Sequence, residues 1–400
     1  MSKVYRERKY PRTDLLGVSD PISCPFEPRW RNFLRISEIP WLGDHKIQSN
    51  IVYPAAGYIA MAIEASSQLN EEGSSAKVAG YQLRDVSIQS ALVINEASAI
   101  EIMVSLKQCE SRQLDTVDRE YTFHIYSVTN ENRWTEHCKG IVGLQLEGHS
   151  DSSVSSFDTV EKINNPSRAT AKNLSALDIK KFYENLEQVG LEYGPSFANM
   201  AEAHFTADTC FAVITIPDTT ATMPMGFQHP FVIHPCTLDS TFHSIFVPIL
   251  AKMNQREEPP VPVFIDQVYV SHGINSAPGE KMDVQASVTE DDGGDIIASL
   301  TVLDRNSCNN RPAVSIVGLK CRRLANGTTE GAVKPVERIA YNLKWEADPD
   351  LLTGEGLKRL LSEPALAISP AKESDLYEGA ALYYVEEALK SIDTIDPAIS

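Results

Sequence analysis

The feature that most constrains this 400-residue chain is an order of elements that occurs twice: a compact, apolar helix followed by a series of short strand patterns. In the first half the helix is PAAGYIAMAIEASSQL, beginning at Pro54. Proline suits a first helical turn, where the missing N–H would have no partner anyway. Ile59, Ala60, Met61, Ile63 and Leu69 leave this segment with little polar surface, as expected of a helix wrapped by a sheet. A Pro-rich entry (SDPISCPFEPRW), a short strand (RNFLRIS) and a loop bearing His45 precede it. The strand patterns YQLRDVSIQSALVI, IEIMVSLKQ, EYTFHIYSVT and RWTEHCKGIVGLQLE follow it, rich in β-branched and aromatic residues and divided by polar turns such as TNEN.

The second half repeats the order. A helix over LDIKKFYENLEQVG leads to LEYGPSFANM, one long strand pattern (EAHFTADTCFAVITIP) and a second apolar helix, HPCTLDSTFHSIFVPILAK. Strands follow in VPVFIDQVYVSHG, KMDVQASVTED, DIIASLTVLD and AVSIVGLKCRRL, with DDGG as a turn between two of them. One helix enclosed by a curled antiparallel sheet, twice over in one chain, predicts an α+β double hotdog. The symmetry is one of element order, without a close sequence repeat.

The boundaries read from these patterns are an N-terminal extension over 1–12, a first hotdog over 13–148 carrying His45, a Ser-rich polar linker over 149–176, and a second hotdog over 177–325 carrying Asp239. Residues 326–400 read as a linker and the start of a following region, so the chain is expected to be a piece of a longer polypeptide.

Composition narrows the function classes. Hydrophobic residues make up 42% and charged residues 22%, and no apolar run approaches the roughly 20 residues of a membrane helix. The net charge of −18 argues against nucleic acid, which demands a basic surface. Trp345 to Ser400 alone holds twelve Asp or Glu against four Lys or Arg. The one dense basic cluster, Arg6, Arg8, Lys9 and Arg12, reads as a solvated terminus. Seven scattered cysteines without a CxxC pair argue against a disulfide framework and against structural zinc. No metal is expected. A charged start without an apolar core carries no secretory signal, which leads to the expectation of a cytoplasmic protein.

Two short motifs carry the chemistry. His45 sits in WLGDHKIQSNIVYPAAGY and Asp239 in HPCTLDSTFH, each among apolar residues. A base and an acid lining one dry cleft would suit proton transfer. Each residue also has a plainer reading. A histidine before a helix can pack or cap, Asp239 near Pro235 can cap a helix, His243 can fill a helix face, and GlyPro at 194–195 marks a turn whatever the function. Gly190 and Gly194 form no phosphate loop. His229 and His234 lack cysteine or carboxylate at ligand spacing and read as structural.

Together, DHKIQSNIVYPAAGYIAMAIEA, LEYGPSFANM, HPCTLDSTFHSIF and the trailing YNLKWEADP resemble the dehydratase domain of fungal highly reducing, iterative polyketide synthases, over roughly residues 10 to 325. The resemblance implies a double hotdog in which the His of an HxxxGxxxxP motif and the Asp of a DxxxQ/H motif form the catalytic pair, and a YGPxF block shapes the pocket. Those positions are His45 with Pro54, Asp239 with His243, and Tyr193, Gly194, Pro195 and Phe197, with Leu238 beside the acid. One departure is Ser49 where the motif has Gly; another is Ala55, where Gly is frequent after Pro54.

The implied reaction removes water from a 3-hydroxyacyl thioester to give a trans-2-enoyl thioester. It needs a base for the C2 proton and an acid for the departing hydroxyl. A neutral His45 serves as base, Asp239 donates in its protonated form, and His243 orients the acid. Backbone N–H groups at the helix start, at Ala56 and Gly57 after Pro54, are the expected donors to the thioester oxygen. No cofactor bound by the domain is expected, since the substrate would arrive on the phosphopantetheine arm of an acyl carrier protein. The other domains of the synthase are expected partners, as is a second copy in a homodimer. Two other functions fit the pattern: a product-template domain guiding cyclisation of poly-keto chains, which the trailing block argues against, and a catalytically silent scaffold, which retention of both His45 and Asp239 argues against.

Overall fold

The computed structural model describes residues 10, 12–70, 77–96, 98–109, 119–128, 133–147, 174–252, 260–291, 295–305 and 312–323. All of these belong to the first of two units, Met1–Asn326. The basic residues Arg6, Arg8 and Lys9, the TNEN turn, most of DDGG, most of the 149–176 linker, Cys308 and the whole of 326–400 lie outside the described residues.

The first half contributes β1 (Val18–Ser19), β2 (Arg29–Leu34), β3 (His45–Ile47), β4 (Asn50–Ile51), helix α1 (Ala55–Asn70), β5 (Val78–Ile88), β6 (Ile100–Gln108), β7 (Arg119–Val128) and β8 (Trp134–Leu146). The second contributes β9 (Ser175–Ala176), α2 (Ile179–Gln188), β10 (Leu191–Tyr193), β11 (Met200–Phe205), β12 (Thr209–Thr215), α3 (Pro235–Lys252), β13 (Pro260–Ser271), β14 (Lys281–Asp291), β15 (Asp295–Asp304) and β16 (Val314–Arg323). This is the α+β double hotdog that the element order predicts.

Thirteen strands form one antiparallel sheet in the order β1-β2-β6-β7-β8-β5-β13-β16-β15-β14-β12-β11-β9. The halves are fused where β5 pairs with β13, from Ser87 opposite Phe264 to Gly80 opposite Ser271. Each half curls around its apolar helix. Strand β2 shows how sequence sets the faces: in RWRNFL, Trp30, Asn32 and Leu34 turn inward while Arg29, Arg31 and Phe33 face outward. Helix α1 is buried almost all round, from Ala56 through Ala65, and packs against both its sheet and α3. That burial explains its lack of charge apart from Glu64, which accepts from Val232 N at 2.7 Å and so ties α1 to the segment before α3.

Three departures from the sequence reading bear on the site. EAHFTADTCFAVITIP is two strands rather than one, because the Thr206 hydroxyl accepts the Asp208 and Thr209 N–H groups and reverses the chain between β11 and β12. YQLRDVSIQSALVI leaves the sheet after Ile88. Its tail instead braces the segment before α1, with Tyr53 N donating to Leu92 O at 2.9 Å and Ile94 N to Ile51 O at 2.8 Å. His45 does not lie in a loop: it begins β3, in a second, three-stranded sheet of order β10-β3-β4 that stitches the two halves together.

Candidate active site

The chain enters the site through a 3₁₀ turn over Pro40–Asp44 that buries Trp41 and Leu42. His45 follows, and β3 returns as β4 through the two-residue turn Gln48-Ser49. Both turn residues are left-handed, with φ of 49° and 63°, the combination of a tight hairpin whose second position favours glycine. This gives the glycine of the HxxxGxxxxP pattern a physical meaning, and Ser49 occupies its place at a conformational cost. The cost is offset by Glu192 Oε1, which accepts from Ser49 N at 2.8 Å and from the Ser49 hydroxyl at 3.0 Å.

The hairpin brings Val52 back beside the imidazole. His45 Nδ1 donates to Val52 O at 2.7 Å, and because a carbonyl can only accept, the proton of the neutral ring is on Nδ1. Nε2 is left with a bare lone pair. His45 is 6% exposed, and burial lowers its pKa below the ordinary histidine value, only partly countered by the charge of Asp239 and by the Val52 bond. Near neutral pH the His45 ring is neutral.

Asp239 is the fifth residue of α3 and is not the helix cap; His234 holds that position. The Cys236 N–H donates to His234 Nδ1 at 3.1 Å and the Leu238 N–H to His234 O at 3.0 Å. Asp239 is 4% exposed, and its Oδ2 lies 4.0 Å from His45 Nε2. The structure thus unites the two motifs in one buried pair. The nearby Cys236 thiol is pushed well up by burial and by the charge of Asp239, so it stays protonated and is no competing nucleophile.

The Tyr193–Phe197 block is clamped to both members of the pair. Strand β10 pairs with β3 so that Tyr193 stands opposite His45. Asp44, adjacent to His45, accepts from Gly194 N through its carbonyl at 2.7 Å and from Ser196 N through its carboxylate at 2.9 Å. Gly194 is required here, since a methyl group at that position would overlap the Asp44 carboxylate. On the other side Ser240, adjacent to Asp239, has Phe197 O within donating distance at 2.8 Å and accepts from Asn199 Nδ2 at 3.0 Å. The Phe197 and Tyr193 rings stand 5.2 and 5.6 Å from the His45 ring. Pro195 is exposed, whereas Leu238 is completely buried in α3.

His243, expected to orient the acid, stands one helical turn after Asp239. Its Nε2 lies 3.4 Å from Asp239 Oδ2 but out of line, so this buried nitrogen has no hydrogen-bond partner. Its Nδ1 lies 3.1 Å from the Tyr183 hydroxyl. At the start of α1, Gly57 N is already committed to Pro54 O at 2.9 Å, whereas the Ala56 N–H makes no backbone hydrogen bond among the described residues. Of the two expected oxyanion donors, Ala56 is the one left open.

Asp44, Tyr183 and Ser240 escaped the sequence reading because each acts through backbone or ring atoms distant in sequence. The adjacency of Asp44 to His45 was the one signal available. His229 and His234 are held by Asp14 and by Cys236 with Thr219 respectively. They border a separate cavity of about 200 Å³ that also touches Gln228, Phe231 and Thr237 but neither His45 nor Asp239.

Comparison with known proteins places this geometry in context. Residues 14–128 match the family model described as "Polyketide synthase dehydratase domain", and 161–331 match "Polyketide synthase dehydratase N-terminal domain". The chain is 40% identical over 98% of its length to highly reducing polyketide synthase phiA of Fungal sp. and 39% identical over 97% to highly reducing polyketide synthase tstA of Talaromyces stipitatus. It spans only 16% of the length of either. Among solved structures, the dehydratase domain from the CurF module of curacin polyketide synthase superposes with a TM-score of 0.60 at 16% identity, covering 79% of this chain and all of that one. The dehydratase domain of PpsC from Mycobacterium tuberculosis gives 0.58 at 17% identity, covering 78% of this chain and all of that one.

Proposed function

The chain belongs to the polyketide synthase dehydratase family, and on that premise we propose that it removes water from a 3-hydroxyacyl thioester to leave the trans-2-enoyl thioester. The observation that carries this reading is the bare Nε2 of a neutral, buried His45, held 4.0 Å from the Asp239 carboxyl group.

His45 Nε2 takes the C2 proton as the C3–O bond breaks, and Asp239 hands its proton to the departing hydroxyl, which leaves as water. The electron pair of the C2–H bond becomes the new double bond. His45 is then the cation and Asp239 the anion, and transfer of the proton between them restores the starting state. The Val52 carbonyl, which holds Nδ1–H throughout, also stabilises the imidazolium form. Negative charge developing on the thioester oxygen is met by the open Ala56 N–H at the positive end of α1. The Phe197 and Tyr193 rings beside His45, with Trp41 behind Phe197, strengthen each of these interactions by excluding water.

The substrate is proposed to be carried on the phosphopantetheine arm of an acyl carrier protein within a longer reducing synthase. The solved PpsC domain is a complex with C12:1-CoA, an acyl thioester of that general kind. Incubation with 3-hydroxyacyl pantetheine thioesters of several chain lengths, followed by mass spectrometry, tests the reading. Loss of one water supports it; a folded protein that dehydrates none of them, in either configuration at C3, favours the silent scaffold instead.

A further inference from the structure

Behind Asp239 runs a chain of polar atoms with a fixed donor at its far end. Met200 N–H donates to the Tyr183 hydroxyl at 3.2 Å, and that hydroxyl lies 3.1 Å from His243 Nδ1. A backbone N–H can only donate. With one lone pair occupied by Met200, the Tyr183 proton has His243 Nδ1 as the acceptor within reach, an arrangement that pairs both hydroxyl functions and leaves Nδ1 bare. A neutral imidazole with a bare Nδ1 carries its proton on Nε2. That nitrogen is the one 3.4 Å from Asp239 Oδ2, in a side chain with no exposed surface.

We propose that Tyr183 is a positioning residue that locks His243 in the Nε2–H tautomer, so that the ring turns an N–H rather than a bare nitrogen toward Asp239, 3.4 Å away though out of line for a hydrogen bond in this geometry. The distinction matters for an acid catalyst, and in that respect the inference rests on the function proposed above. An N–H beside Oδ2 cannot accept, and so leaves the transferable proton of Asp239 free to face the leaving hydroxyl. The opposite tautomer would turn a bare Nε2 toward Oδ2, and the Asp239 proton would be drawn into a hydrogen bond with the ring, away from the substrate.

The fold supplies the lock from three elements. Tyr183 stands in the middle of α2, whose start is capped by Asp178 accepting from Lys181 N at 3.1 Å. Met200 opens β11, and His243 lies one turn after Asp239 in α3. The Tyr183 ring meets the His243 ring edge-on at 5.7 Å, and Tyr193 closes the other side at 4.1 Å. Burial raises the Tyr183 pKa, which keeps the hydroxyl protonated and able to donate.

The test is ¹⁵N NMR of the full chain with labelled histidine, the His243 signals being assigned from their absence in His243→Gln. The wild type is expected to show the Nε2–H tautomer, and Tyr183→Phe a mixture or the Nδ1–H form. A wild-type His243 that is Nδ1–H or imidazolium, or one that does not change in Tyr183→Phe, overturns the proposal. This readout does not depend on turnover, so an inactive wild type would overturn the proposed function while leaving the tautomer result standing. In an active protein, Tyr183→Phe is expected to lower kcat about tenfold with KM unchanged, the rate equivalent of one buried hydrogen bond. In the His243→Gln background, which has no imidazole tautomer for Tyr183 to set, the same substitution should cause no further loss. A full tenfold loss in that background would mark Tyr183 as merely structural and contradict the lock.

Discussion

His45 and Tyr193 stand opposite one another across an antiparallel pair of three-residue strands, one from each half of the chain, with their rings 5.6 Å apart and edge to face. Through that pairing the second half sets the position of the imidazole contributed by the first. The Tyr193–Phe197 turn then carries the registration on to Asp239 through Ser240.

Asp44 is the fastening on the His45 side, and its role is separable into geometry and charge. Asp44→Asn retains an oxygen for the Ser196 N–H and should keep most activity and stability. Asp44→Ala leaves that N–H unpaired and should cost about 1–3 kcal/mol in urea unfolding. Gly194→Ala, which forces a methyl group against the Asp44 carboxylate, should lower kcat/KM by about a hundredfold through misplacement of His45. Wild-type kinetics for Gly194→Ala would mean that the clamp does not position the base.

The base should work in mildly acidic solution. Burial holds the His45 pKa below its ordinary 6.5, so the ring stays neutral as pH falls through that value. The acid limb of the kcat/KM profile should therefore bend below pH 6.5. A bend at or above that pH would show that another group controls the limb.

His234 predicts a pH dependence of stability. Its Nδ1 must stay bare to accept from Cys236 N, and burial lowers its pKa to about 3. In the unfolded chain it takes up a proton near pH 6.5, so between pH 6.5 and about 3 the unfolded state binds one more proton than the folded state. This contribution to stability is complete above pH 6.5 and is lost as pH falls, at about 1.4 kcal/mol per pH unit. His234→Asn, which still caps α3, should flatten the urea-midpoint profile by that slope. An unchanged slope would refute the assignment.

The left-handed turn gives a prediction about Ser49. Ser49→Ala keeps the strained backbone and loses the hydroxyl bond to Glu192, while Ser49→Gly relieves the strain. The glycine variant should be more stable than the alanine variant by about 1–2 kcal/mol. Equal thermal stabilities would show that the turn is not strained.

Much of this architecture was legible in the chain itself. Apolar segments such as Ala55–Asn70 have no plausible place outside a buried helix, and alternation as clean as RWRNFL names its own buried face. The identities of His45 and Asp239 followed from motif resemblance. What stayed hidden was long-range and written in backbone atoms: the fusion of β5 with β13, the capture of Gly194 and Ser196 by Asp44, and the link from Met200 through Tyr183 to His243. Gly57 shows the same limit from the other direction, since position alone could not reveal that its N–H was already taken by Pro54.

The central claim is that His45 and Asp239 together remove water from a 3-hydroxyacyl thioester. The most direct measurement is single-turnover dehydration of a 3-hydroxyacyl pantetheine thioester by the wild type, His45→Ala and Asp239→Asn, each first shown to be folded by circular dichroism. The account predicts 2-enoyl product with the wild type and a loss of at least about a hundredfold in either variant, the scale of a missing general acid or base. Comparable turnover by either folded variant would contradict it.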